Sequence, residues 1–121
     1  MKKRPKNLNL FTIRLPVNAL VSILHRVSGC LLFVLLPLTL WIVTQTLYSP
    51  QSYATLLAYL HSGSMRVLGG LIAWAFFHHL FAGIRHLVMD MRGTPSLVRA
   101  RFTGRVVLVL GGLATLGWIL L

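Results

Sequence analysis

Three long apolar runs separated by short polar segments limit what this chain can fold into. Spanning the hydrocarbon core of a bilayer takes about 20 mostly apolar residues. The runs Gly29–Tyr48, Val67–Met89 and Arg105–Leu121 each approach that length within a chain of only 121 residues. A soluble domain of this size has too little interior to hide so much apolar surface, and the excess is expected to face lipid. Inside lipid every backbone N–H and C=O must be satisfied within the chain. Three runs cannot close a barrel, so each is expected to be a helix. The expectation is an all-α membrane protein with three transmembrane helices, at 22–48, 65–90 and 105–121, after a cytoplasmic segment 1–21. Residues 1–121 then form a single membrane-anchor domain. Pro37 falls inside the first span and is expected to kink it rather than end it. Ser49–Arg66 and Arg92–Gly104 read as connecting segments, with Gly93, Pro95 and Gly104 as breakers.

Charge sets the orientation. Twelve Lys and Arg stand against one acid, Asp90. In a soluble protein that balance suggests nucleic acid. In this chain the cations lie in blocks between apolar runs, as topology signals do, and no nucleic-acid role is expected. Lys2, Lys3, Arg4, Lys6, Arg14 and Arg26 precede the first run, and Arg85, Arg92, Arg99, Arg101 and Arg105 surround the second loop. Only Arg66 lies on the other side. An N-in, C-out path satisfies all three spans at once. A single cysteine, Cys30, in an apolar run reads as a packing residue, and no C-x-x-C-H is present for covalent haem. No cleavable signal peptide is evident.

Ionisable groups at membrane depth are expensive, which makes them candidates for function. The second run carries His78, His79, Arg85, His86 and Asp90. His79, Gly83 and His86, at i, i+4 and i+7, share one stripe of a helix. His79 lies near mid-run, with His86 about 10 Å nearer the cytoplasm. A midplane imidazole is met either by haem iron or by a helix–helix hydrogen bond. His78 points about 100° away from His79 and is the weaker ligand candidate. The chain offers no second midplane ligand, so a haem held by two histidines needs one from another subunit or a second copy. On the first helix, Ser22, His25, Arg26 and Ser28 stand at the cytoplasmic level. A hydroxyl and a guanidinium there can bond a quinone carbonyl or a haem propionate, or simply anchor the helix end by snorkelling. Asp90 reads as an ion-pair partner of Arg26, Arg85 or Arg92.

RPKNLNLFTIRLP (Arg4–Pro16), SILHRVSG (Ser22–Gly29) and HxxxGIRHLxxD (His79–Asp90) occur in order along the chain. Together they resemble the cytochrome b subunit of succinate dehydrogenase, the larger membrane anchor of respiratory complex II. The third span matches only in being apolar. The resemblance implies a bundle shared with a second small anchor subunit, with an iron–sulfur subunit and a flavoprotein subunit docked on the cytoplasmic face. It implies that electrons from succinate reach ubiquinone at the membrane boundary, and that this subunit is not catalytic alone. By the same resemblance His79 is the axial ligand of one haem b, the partner anchor supplying the other histidine. Ser22 and Arg26 are quinone-site residues, and His25, Arg26 and His86 neighbour the haem propionates. The family has one histidine at the ligand position where this chain has a doublet; counting back seven from the GIRH histidine selects His79. The anchor of a related fumarate reductase and a haem-free structural anchor are the alternatives. A bacterial inner membrane is the expected location.

Overall fold

The computed structural model describes residues 14–93 and 95–120. Lys2, Lys3, Arg4 and Lys6, and with them residues 4–13 of the first motif, lie outside the described residues. Among the described residues four helices follow in order: α1 (Val17–Thr46), α2 (Pro50–Leu60), α3 (Gly63–Arg92) and α4 (Leu97–Leu120). Three of them, α1, α3 and α4, are long and apolar enough to cross a membrane.

The helices outrun the apolar runs. α1 starts at Val17 because Pro16 takes an extended conformation while its carbonyl accepts the N–H groups of Ala19 and Leu20, at 2.9 and 3.2 Å. The helix then passes through Pro37 without a break. α3 stops at Gly93, whose φ of 76° with ψ of −178° is a conformation only glycine adopts readily. Backbone hydrogen bonding ignores side-chain polarity, so a helix continues into the interface until such a stop. Gly104, expected as a breaker, lies buried inside α4, where its missing side chain admits Asn18 and Val17 of α1. Arg99 and Arg101, expected in a loop, are helical for the same reason.

α2 also corrects the expected loop at 49–66. Ser49 and Ser52 form a reciprocal capping box, each hydroxyl accepting the other's N–H at 3.1–3.2 Å, and Pro50 stands in the first turn, where its missing N–H costs nothing. With 11 residues, α2 is about 16 Å long, too short to span.

α3 is the central helix, packed against both α1 and α4. The core is narrow: Val21, Ala82 and Val107 meet at its centre, with Ala73, Ala75 and Ala100 also buried. Small residues let backbones approach where lipid supplies no hydrophobic drive between helices. The large side chains point outward, as lipid or a neighbouring subunit requires. α1 is buried only at Val21 and Ser28, both in its N-terminal half, while Phe33 beyond them is 77% exposed. The N-terminus of α1, the C-terminus of α3 and the N-terminus of α4 share one end of the bundle, where Arg85 bonds to Asn18 and Thr103. That end carries Arg14, Arg26, Arg85, Arg92, Arg99, Arg101 and Arg105, and Arg66 lies at the other.

Candidate functional site

α3 presents one polar stripe to α1 and a second to the seam where α1 and α4 meet. The stripe of His79, Gly83 and His86 faces α1. The His25 and His79 rings stack at 4.2 Å between centroids, only 12° from parallel, and His86 lies 5.2 Å from His25. This approach depends on glycine. A Cβ on Gly29 would stand 2.8 Å from His79 Cε1, so any side chain there would displace the ring.

The hydrogen bonds at His79 decide its tautomer. Its Nδ1 lies 3.1 Å from the His25 carbonyl oxygen and 3.3 Å from Ser28 Oγ. Ser28 spends its own proton on that same carbonyl, at 2.9 Å. A carbonyl only accepts, so the proton must sit on His79 Nδ1, leaving Nε2 with a free lone pair. A metal-bound histidine characteristically donates its second ring N–H to such an acceptor. His79 is half-buried, so its outer edge remains reachable. The donor set therefore fits a haem iron approached through Nε2. His25 cannot be the opposite ligand. Its ring lies flat on the face of the His79 ring rather than opposite the Nε2 edge.

The second stripe, His78, Ala82 and Arg85, is buried. His78 is 0% exposed, stacks on Trp74 at 5.3 Å and has its Cα against Gly111 of α4. Among the described residues neither ring nitrogen makes a well-formed hydrogen bond, although the Val21 backbone lies within reach. Of the histidine doublet, His78 is thus sealed inside the chain and His79 faces the reachable side. An orphaned buried polar group costs about 1–3 kcal/mol. The variant His78→Phe keeps the stacking and removes both orphan nitrogens. Its thermal inactivation, measured on the purified complex, is expected to match wild type or to come later.

On α1, Arg26 Nη2 donates to Ser22 Oγ at 3.3 Å. The two residues thus sit together, with Arg26 exposed. Asp90 is exposed on the last turn of α3. Of its three suggested partners, Arg85 turns away: Nε donates to Thr103 Oγ1 at 3.1 Å, and Nη2 donates to Asn18 Oδ1 and to the Ala100 carbonyl at 3.2 and 3.3 Å. Asn18 and Thr103 escaped the sequence reading. Each is one polar residue near a helix end, and nothing local says that α1 and α4 approach the same arginine.

A family model described as the succinate dehydrogenase/fumarate reductase transmembrane subunit matches residues 1–118. A succinate dehydrogenase cytochrome b556 subunit from Coxiella burnetii is 36% identical over 113 residues, covering 93% of this chain and 90% of its own length. A cytochrome b560 subunit of the same enzyme from Reclinomonas americana is 32% identical over 97% of this chain and 85% of its own length. The Paracoccus denitrificans cytochrome b556 subunit is 34% identical over 72% of this chain and 67% of its own.

Proposed function

The chain belongs to the succinate dehydrogenase and fumarate reductase transmembrane subunit family, and on that premise we propose that it is the cytochrome b anchor of a succinate:quinone oxidoreductase. It is a multi-pass membrane subunit. The observation that carries the finer reading is His79, with its proton committed to the His25 carbonyl and Nε2 left as a lone-pair donor. His79 would hold haem b from one side, and a histidine of a second small anchor from the other. The exposed second half of α1 supports such a neighbour. His25 and His86 lie against each other, Arg26 follows His25 on α1, and the three would lie next to the propionates. When bound, the haem supplies a one-electron store beside the quinone.

Succinate loses two electrons and two protons to become fumarate in the flavoprotein, and the electrons pass through the iron–sulfur subunit to ubiquinone. This chain's part is to bind and orient the quinone. The Ser22 hydroxyl and the Arg26 guanidinium would donate hydrogen bonds to a quinone carbonyl oxygen, and Arg26 offsets the negative charge that gathers there as electrons arrive. Both residues belong to the basic end of the bundle. The two protons that complete ubiquinol come from water at that boundary. The basic end would face the cytoplasm of a bacterial inner membrane, N-terminus inside, by the bias of Lys and Arg toward cytoplasmic segments.

The test is the reduced-minus-oxidised spectrum of the purified complex. A b-type haem signal is expected beside the flavin and iron–sulfur contributions. A complex that turns over succinate and quinone without that signal makes the chain a haem-free anchor.

A further inference from the structure

Arg85 is the least comfortable charge in the molecule. It is 8% exposed, and its hydrogen bonds go to neutral oxygens of Asn18, Thr103 and Ala100. A buried cation at membrane depth is expensive unless a counter-charge lies close. The only acidic side chain in the sequence, Asp90, is five residues further along α3. At 100° per residue it points about 140° away. The compensating anion must come from outside the chain.

A crevice of about 470 Å³ between α3 and α4 leads to this arginine. Arg92 and Arg99 also line it, at the end nearest the α3–α4 connection, and its depth is apolar, lined by Ile84, Val106 and Leu110. From Ser96 to Leu110 it follows α4 for about 20 Å, more than half of a hydrocarbon core about 30 Å thick. Arg92 and Arg99 at the membrane boundary, with Arg85 about 10 Å deeper at the head of an apolar channel, fit an amphiphile with an anionic head. Inorganic phosphate, or an acidic loop of a soluble subunit, would use the arginines and leave the channel empty. The crevice is lined by α3, α4 and their connection, and so is separate from the His25–His79 face on α1.

We propose that the α3–α4 crevice is a binding site for one anionic phospholipid of the surrounding membrane. Its phosphate sits among Arg85, Arg92 and Arg99, and an acyl chain lies along Ile84, Val106 and Leu110. Basic pockets between transmembrane helices recognise anionic head groups in this way. The inference does not rest on haem or quinone binding.

The experiment uses the whole complex in phosphatidylcholine nanodiscs with a trace of phosphatidylglycerol bearing a photoreactive acyl chain. Crosslinked residues are mapped by mass spectrometry. Labelling is expected on α3 around Ile84 and on α4 between Val106 and Leu110, competed by unlabelled phosphatidylglycerol and not by further phosphatidylcholine. Arg92→Gln with Arg99→Gln should weaken that competition by roughly fivefold per arginine removed, whereas the paired Lys variants should retain it. Equal competition by the two lipids would overturn the proposal in favour of ordinary boundary lipid. Competition by inorganic phosphate would overturn it in favour of a simple anion site. A crosslink from a carboxylate of a soluble subunit to Arg92 or Arg99, with no lipid labelling, would assign the crevice to that subunit. Should the Gln variants fail to assemble, the wild-type lipid competition still decides.

Discussion

A complex carrying His79→Ala is expected to lose its b-type haem signal while its subunits still assemble. The substitution removes the ring whose Nε2 is left free by the bond from Nδ1 to the His25 carbonyl. The rest of the core does not depend on that ring. His79 is half-buried, and the centre of the bundle is built on Val21, Ala82 and Val107. Removal vacates a half-exposed position beside Gly29, which a detergent-solubilised complex can tolerate. Reduced-minus-oxidised spectra of variant and wild type, normalised to flavin, are the measurement. His78→Phe is the control, because that ring is sealed against Trp74 and Gly111 and should leave the haem signal at wild-type intensity. An unchanged spectrum in His79→Ala, with the signal lost instead in His78→Phe, would falsify the assignment of the doublet. It would also require α3 to sit in the assembled complex about 100° from the orientation described.

Arg26→Gln should lower kcat/KM for ubiquinone by roughly 10- to 100-fold, the range set by losing a hydrogen bond from a charged donor. Succinate oxidation coupled to a soluble dye that accepts electrons ahead of the quinone should stay near wild type. That split separates quinone binding from a general loss of assembly. Arg26→Lys retains the charge and loses the planar fork, so it should fall between the two. The Arg26–Ser22 contact of 3.3 Å adds a check. Ser22→Ala removes a neutral partner and should cost only about fivefold. If Arg26→Gln and wild type share one kcat/KM for quinone, Arg26 is a helix-end anchor only, held out of the apolar layer by snorkelling.

The spans were legible because they answer to a one-dimensional rule. Lipid cannot hydrogen-bond a backbone, so an apolar run of sufficient length becomes a helix whatever lies beside it. The ends were less legible. Helices obey hydrogen-bond stops such as Pro16 and Gly93 rather than the edge of hydrophobicity, so α4 begins at Leu97, ahead of the apolar run at Arg105. α2 was missed although Ser49, Pro50 and Ser52 spelled its start, because its polar composition was read as that of a loop.

The sequence by itself determined three helical spans, the asymmetric placement of cations and the His79–Gly83–His86 stripe, since these depend only on backbone chemistry, charge count and helical period. The tertiary structure decided which neighbour each stripe meets. His78 and His79 differ by one residue in the chain, yet one is sealed against Gly111 of α4 and the other stacks on His25 of α1. The pairing of helices settles that difference, because a stripe's direction has meaning only relative to a packed partner. The same pairing gives Arg85 its acceptors on α1 and α4 and opens the crevice beside it. No local signal contains these features, since each joins residues far apart in sequence and exists only once small side chains have let the helices close.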